Sequence, residues 1–152
     1  MKTIKKYSLE LVKEKEVDYC LDNVYLKSPV DAYNVIQAVI QPEKLTEEAF
    51  YIITLDVKQK ATGLFEVSRG SLDSSIVTPR EIYKRAILQN ASSIILTHNH
   101  PSGDPTPSSD DIRVTEKIAG AGSIIGIKVL DHIITGEGNY TSLRREEGMA
   151  FE

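Results

Sequence analysis

The sequence lacks several features that mark whole classes of protein. There is no tryptophan, and Cys20 is the only cysteine. A single cysteine can form neither an internal disulfide nor a cysteine-rich zinc site. Because Cys20 lies between Tyr19 and Leu21, we interpret it as a small buried core residue. No apolar run approaches the roughly 20 residues of a membrane-spanning helix. The N-terminal stretch also lacks the apolar region of a signal peptide, so we expect a cytoplasmic protein with no membrane partner.

An excess of basic charge is missing as well. Lysine and arginine total 18 against 22 acidic residues, which gives a net charge of −4. A domain that binds nucleic acid usually clusters its basic residues on one face, whereas here they are scattered among acids. The charge therefore argues against a nucleic-acid partner, although it leaves room for a local patch.

The composition that remains is that of one globular domain. Hydrophobic residues make up 41% and charged residues 26% of the chain, which suffices for a sizeable core. We find no repeat, linker or low-complexity segment, so we predict a single domain over residues 1–152. Apolar and alternating runs predict its strands. These runs cover residues 7–11, 49–57, 63–67, 93–97, 124–129 and 132–135.

Helix-start signals occur between these strands. Ser28-Pro29 supplies a capping hydroxyl and a proline suited to the first helical position, and Gln41-Pro42 predicts the end of that helix. The stretch Thr78 to Glu81 has the spacing of a capping box, and its helix is expected to end near Asn90. We expect Ile82, Ala86 and Ile87 to face the core from this second helix.

A third helix is predicted after residue 107. Ser108 or Ser109 caps it, Asp110 and Asp111 lie in its first turn, and Gly120 and Gly122 are expected to end it. Helices alternating with strands indicate an α/β domain with a central mixed sheet.

Two of the three histidines lie at the end of a predicted strand. Side chains two apart on a strand point to the same face, so His98 and His100 can converge on one ion while Asn99 points away. The stiff stretch 101–107, which contains three prolines, then leads to Ser108 and Asp111, which share one side of a first helical turn. Asp111 is a ready third ligand. Two histidines and one carboxylate leave a fourth position open for water, as in catalytic zinc sites.

The same residues carry a resemblance to a known family. The stretch HNHPSGDPTPSSDD, with seven residues between His100 and Ser108 and the aspartate three further on, resembles the signature of the JAMM (MPN+) metalloprotease superfamily. The surrounding sequence, from about Phe50 to Gly148, is similar to the RadC-like family of bacterial proteins. The motif-bearing core would then cover about residues 46–148.

The resemblance implies a fold and a set of roles. The fold would be MPN-like, similar to cytidine deaminases, with helices flanking the sheet. One Zn²⁺ per chain would be held by His98, His100 and Asp111, and Ser108 would help to stabilise the oxyanion. A glutamate just before a strand would act as general acid and base. That role falls on Glu48, by strand alternation.

Two other glutamates compete with Glu48. Glu47 is its immediate neighbour with the opposite facing, and either residue can be an ordinary solvated charge. Glu81 is a third contender, although its place in the predicted capping box already explains it. Outside the motif, His132 has two interpretations: it orients a metal ligand, or it is a hydrogen-bonded structural histidine beside a strand.

The function implied is zinc-dependent hydrolysis of an amide bond in a peptide or protein substrate. RadC-like proteins commonly carry an N-terminal helix-hairpin-helix region, and the residues before the matched segment lack its pattern, so we expect a short form. Two alternatives stay open: an accessory protein of DNA repair that binds nucleic acid, and a non-catalytic scaffold. The single cysteine excludes a zinc deaminase, which needs a C-x-x-C pair.

Overall fold

The computed structural model of the chain describes residues 3–16, 25–70, 77–149 and 151. Its elements in chain order are α1 (Pro29–Val39), a 3-10 turn (Pro42–Lys44), β1 (Ala49–Leu55), β2 (Ala61–Arg69), α2 (Pro79–Leu88), β3 (Ser93–Asn99), α3 (Ser109–Ile125), β4 (Lys128–Thr135), β5 (Tyr140–Ser142) and α4 (Leu143–Glu146). Among these described residues, none of the helices combines the length and apolar character that a membrane crossing needs.

The strands form one five-stranded sheet in the order β2-β1-β3-β4-β5. β1 pairs antiparallel with β2 and β3, β3 pairs parallel with β4, and β4 pairs antiparallel with β5. The prediction of an α/β domain with a central mixed sheet flanked by helices is therefore confirmed.

The two central strands are buried along their whole length, which explains their uninterrupted apolar sequences. Every residue of β1 and of β3 is buried, as expected for strands covered on both faces. Phe50, Ile52 and Leu96 belong to the core cluster that contains residues of α2 and α3. Ile53 and Ile95 belong to a second cluster with residues of α1. Each fully buried isoleucine contributes about 1.5–3 kcal/mol of apolar burial.

The three longer helices start where the capping signals predicted. The side chain of Ser28 accepts a hydrogen bond from the backbone N–H of Asp31, whose carboxylate accepts one from Ser28 N–H in return. Thr78 accepts from Glu81 N–H, and Ser108 begins α3 with a second reciprocal capping box, formed with Asp111. These hydrogen bonds satisfy backbone donors that the first helical turn leaves unpaired.

The strand predicted at residues 7–11 is not formed, so this prediction is wrong. Residues 3–16 contain no regular secondary structure, and Tyr7 and Leu9 are 79% and 80% exposed. Alternation alone does not make a strand, because a strand needs a partner for its hydrogen bonds. Cys20 lies outside the described residues.

The predicted end of α3 and the strand after it also need correction. Gly120 and Gly122 lie inside α3, which continues to Ile125 and ends at Gly126 with φ 87°. Residues 124 and 125 are therefore helical, and the two strands predicted at 124–129 and 132–135 are the single strand β4. A Cβ at Gly122 would meet the hydroxyl of Tyr83 and lie 2.5 Å from Ile127 O. This glycine thus permits close packing rather than ending the helix.

One predicted core position on α2 is also wrong. Ile82 and Ala86 are fully buried as expected, but Ile87 is 56% exposed. Residues 82 and 86 are one helical turn apart and share a face, whereas position 87 is rotated about 100° from 86. The apolar face of α2 is narrower than its sequence indicated.

Candidate metal site

Three chain segments meet at one end of the inner strands β1 and β3. In the antiparallel pairing of β1 with β3, Phe50 lies opposite His98. Glu48, two residues before Phe50, is therefore brought next to His100, two residues after His98. The first turn of α3 approaches the same point and contributes Asp111. The site is built from a strand start, a strand end and a helix start.

The two imidazoles face each other. Their Nε2 atoms are 3.0 Å apart; His98 is buried, whereas the side chain of His100 is 15% exposed. Nδ1 of His100 lies 2.8 Å from the backbone carbonyl of Asp104. A carbonyl only accepts, so Nδ1 of His100 carries a hydrogen, and in the neutral ring Nε2 then holds the lone pair. The backbone carbonyl of Asp104 thus fixes the orientation of the His100 ring.

The carboxylate of Asp111 lies against both rings. Its Oδ1 is 3.3 Å from Nε2 of His98, and its Oδ2 is 3.4 Å from Nε2 of His100. Oδ2 also accepts the backbone N–H of Ser108 at 2.7 Å, so the capping box that starts α3 holds the carboxylate in place. Burial alone would raise the pKa of Asp111, but the imidazoles of His100 and His98 beside its carboxylate outweigh this effect and hold the pKa well below its usual value. The same contact raises the pKa of His100.

Glu48 approaches the rings from further away. Its Oε1 is 3.7 Å from Nε2 of His98 and 3.9 Å from Nε2 of His100, and its side chain is 26% exposed. Ligand atoms of Glu48, His98 and His100 all lie within 4.8 Å of one another, so these three residues could hold a metal ion. Two carboxylates, those of Glu48 and Asp111, therefore compete for the position beside the histidine pair.

Asn99 holds the backbone on both sides of Glu48. Its Oδ1 accepts the N–H of Ala49 at 2.8 Å, and its Nδ2 donates to the carbonyl of Glu47 at 3.0 Å. Sequence reasoning assigned no role to this residue because its side chain points away from the histidines. The carboxylate of Glu47 lies near Gly70 instead, 3.7 Å from where a Cβ would be.

His132 is the second residue whose contacts the sequence left undecided. It is fully buried, and its Nε2 lies 2.8 Å from Nδ1 of His98. On its other side, Nδ1 lies 2.6 Å from the hydroxyl of Thr115, which donates to the backbone carbonyl of Asp111. Burial lowers the pKa of His132 well below its usual value, so the ring is neutral near neutral pH. The ring thus contacts a candidate ligand and is also hydrogen-bonded within the fold, so its contacts agree with both interpretations.

Other candidates have different surroundings. Ser108 caps α3, and its Oγ accepts the N–H of Asp111 at 3.1 Å. Glu81 forms ion pairs with Lys84 and Arg85 along α2, at 2.6 and 3.2 Å. Only one half of the predicted capping box is formed, because Thr78 accepts the N–H of Glu81 whereas the carboxylate of Glu81 makes these ion pairs instead.

The loop that carries His100 is pressed against the turn between β4 and β5. His100 N–H donates to Thr135 O at 2.8 Å, and Glu137 N–H donates to Gly103 O at 2.9 Å. A Cβ at Gly136 would meet Gly103 O and lie 2.5 Å from Oδ1 of Asn139. Glycine at 136 therefore allows the close approach that fixes this loop.

A cavity of about 370 Å³ lies elsewhere in the molecule. Its lining includes Leu26, Ile95, Leu130 and Arg144, and none of the five candidate site residues. The histidine cluster is therefore not part of this cavity.

Comparison with known proteins agrees with the resemblance. The model of the RadC-like JAB domain matches residues 26–149, and the five-stranded mixed sheet with its helices is consistent with that fold. A UPF0758 protein of Caldanaerobacter subterraneus is 47% identical over 131 residues, 86% of this chain and 55% of that protein. One from Alkaliphilus oremlandii is 43% identical over 140 residues, 92% of this chain and 60% of its own length. One from Methanosarcina barkeri is 48% identical over 119 residues, 78% and 51% respectively. The chain thus spans about half to three fifths of these relatives.

Proposed function

The chain belongs to the RadC-like JAB domain family, and from this premise we propose that it is a zinc-dependent hydrolase of amide bonds in peptide or protein substrates. The observation that carries the proposal is the convergence of two imidazoles and two carboxylates at one end of strands β1 and β3. Their donor atoms are nitrogen and oxygen, which suit Zn²⁺.

The spacing of the donor atoms supports His98, His100 and Asp111 as the ligands. Ligands at Zn–N and Zn–O distances near 2.0–2.1 Å in a tetrahedron lie about 3.3–3.4 Å from one another. The two distances from Asp111 to the rings, 3.3 and 3.4 Å, match this value, and the imidazole separation of 3.0 Å is close to it. The distances of Glu48, 3.7 and 3.9 Å, are longer. Three protein ligands leave one position open, as catalysis requires.

Glu48 is then free to move protons. Its carboxylate is partly exposed and lies 3.7 and 3.9 Å from the Nε2 atoms of the two rings. This places it within reach of a water molecule beside them. It would accept a proton from the attacking water and return it to the leaving amine. Asn99 fixes the backbone from which this side chain extends.

Ser108 has a hydroxyl hydrogen to offer. Its Oγ accepts the N–H of Asp111, and no hydrogen bond among the described residues uses its O–H, which is available to donate to a carbonyl oxygen that becomes negatively charged during hydrolysis. A zinc ion in such a site supplies Lewis-acid chemistry, because it activates water near neutral pH and polarises the scissile carbonyl group.

The proposal is tested with the purified protein, stripped with EDTA and reloaded with zinc. Bound metal is counted by mass spectrometry, and hydrolysis is followed with a mixed fluorogenic peptide library and lysine-linked isopeptide reporters. We expect about one zinc per chain and metal-dependent cleavage. Glu48→Gln should keep the zinc and lose roughly 10²–10⁴-fold in rate, the usual contribution of general acid–base catalysis.

Glu47→Gln is the matched control, since it removes an equal charge one residue away. It should cleave at nearly the rate of the unmodified protein. A chain that binds no zinc, or a Glu48→Gln variant that cleaves normally, would contradict the proposed function.

A further inference from the structure

We propose that His132 and Thr115 are positioning residues which orient the ring of His98 so that its Nε2 can bind the metal. Neither residue carries a ligand atom in the proposed site. The inference rests on the proposed zinc site and adds to it a chain of hydrogen bonds that links two of its three ligands.

The contacts run through three elements. Nδ1 of His98 on β3 lies 2.8 Å from Nε2 of His132 on β4. Nδ1 of His132 lies 2.6 Å from Oγ1 of Thr115 on α3. Thr115 Oγ1 donates to the backbone carbonyl of Asp111 at 2.6 Å. This series of hydrogen bonds thus begins at one candidate ligand, His98, and ends at the backbone of another, Asp111.

The direction of each hydrogen bond follows from the last one. A backbone carbonyl can only accept, so the single hydroxyl hydrogen of Thr115 is used on Asp111. Thr115 must then accept from His132, which places the hydrogen of His132 on Nδ1. An imidazole whose hydrogen is on Nδ1 has its lone pair on Nε2, so Nε2 of His132 is the acceptor towards His98. His98 therefore carries its hydrogen on Nδ1, and its Nε2 presents the lone pair that a metal needs.

Burial makes this arrangement difficult to replace. His132 and Thr115 are fully buried and His98 is 1% exposed, so solvent is kept from these bonds. The ring of Phe50 stacks on His98 with centroids 5.8 Å apart and meets His132 edge-on at 5.4 Å. If the acceptor at position 132 is lost, Nδ1–H of His98 remains buried without a partner. The alternative tautomer, with hydrogen on Nε2, then becomes favourable and blocks metal binding.

The test measures zinc affinity at pH 7.5 by competition with a chromophoric chelator. His132→Phe keeps an aromatic ring but removes the acceptor, and we expect zinc affinity to fall about 10–100-fold, the usual effect of losing the partner of a ligating histidine. His132→Gln places an amide oxygen near the lost Nε2 and should recover most of this loss. Thr115→Val should lower affinity up to about tenfold, as expected for one buried hydrogen bond.

Tyr83→Phe is the matched control. Tyr83 is also buried, and its hydroxyl donates to Ile118 O on α3, but it has no contact with the candidate ligands among the hydrogen bonds of the described residues. It should lower thermal stability without changing zinc affinity. If it weakens zinc binding as much as Thr115→Val does, the effect is general loosening of the fold and the inference is overturned.

A second measurement reads the tautomers directly. Long-range ¹H–¹⁵N spectra of the zinc-loaded protein should show His98 and His132 each protonated on Nδ1. Hydrogen on Nε2 of His132 would overturn the inference. Should His132→Phe fail to fold, Thr115→Val decides, and an unchanged affinity there also overturns it.

The outcomes separate this inference from the proposed function. An unmodified protein that binds no zinc contradicts the proposed function and this inference with it. An unmodified protein that binds zinc, with His132→Phe binding equally well, contradicts this inference alone.

Discussion

Replacing Asp111 with asparagine separates the two carboxylates that approach the histidine pair. Asparagine has nearly the same shape, and its amide oxygen can still accept the backbone N–H of Ser108, now 2.7 Å from Oδ2. The capping box at the start of α3 therefore persists, and we expect the free energy of unfolding to change by no more than about 1 kcal/mol. What is lost is the anionic oxygen next to both rings.

The expected loss of zinc affinity is large. Changing a residue that merely supports a ligand typically costs 10–100-fold in affinity, so removing the charge of a ligand should exceed about 100-fold. That corresponds to more than about 2.7 kcal/mol of binding free energy. Glu48→Gln, at the longer distances of 3.7 and 3.9 Å, should change the affinity by less than about threefold, or 0.7 kcal/mol.

Both variants are titrated with zinc in the presence of a competing chelator, and urea unfolding checks that each is folded. The metal-free proteins give a second readout, because Asp111 raises the pKa of His100. NMR titration should show a lower pKa of His100 in Asp111→Asn. The reasoning is refuted if Glu48→Gln loses the zinc and Asp111→Asn keeps it, since Glu48, His98 and His100 would then be the ligands.

Three further predictions concern the surroundings of the site. Asn99→Leu removes both hydrogen bonds around Glu48, so we expect about 1–3 kcal/mol less stability and a larger loss in peptide cleavage than in zinc affinity; equal losses would contradict a role in placing Glu48. Gly136→Ala forces the His100 loop outward, and calorimetry should show a loss of about 1–3 kcal/mol, whereas Gly120→Ala, with open space around it, should not destabilise. Burial lowers the pKa of His132, so below pH about 6.5 the unfolded chain binds a proton that the folded one does not, and stability falls by up to about 1.4 kcal/mol per pH unit. Urea unfolding of metal-free His132→Gln should show a shallower fall between pH 6.5 and 5, and an identical slope would disprove this.

Local chemistry made part of the site predictable. The capping signal at Ser108 placed the start of α3, and the two-residue period of a strand placed His98 and His100 on one face. These features depend on neighbours within a few residues, and side-chain hydrogen bonds or strand geometry determine them directly. The alternation that favoured Glu48 over Glu47 is of the same kind, because residues 48 and 50 share a face of the chain that becomes β1.

Contacts between distant segments were not predictable in this way. Asn99 brackets Glu48 across fifty residues, from Asn99 Oδ1 to Ala49 N–H, and His132 meets His98 across 34. Both depend on which strands become neighbours, and the hydrophobic pattern of one sequence does not specify that order. The polar residues themselves were visible, but their partners were not.

The glycines of α3 are a second case in which contacts between distant segments could not be predicted from the local sequence. Gly120 and Gly122 looked like a helix end because glycine often ends helices. Inside the fold, Gly122 is instead required by the approach of Tyr83 and Ile127 to α3. Packing between α2 and α3 outweighed the local preference. The helix therefore continues to Ile125, and the following strand begins only at Lys128.

Anomalous diffraction at the zinc edge, from crystals of the zinc-loaded protein, tests directly whether His98, His100 and Asp111 hold the metal. We predict one strong peak at about 2.0–2.2 Å from Nε2 of His98, Nε2 of His100 and one carboxylate oxygen of Asp111, with Glu48 outside bonding distance. A peak bound by Glu48 in place of Asp111, or no peak between the two histidines, would contradict it.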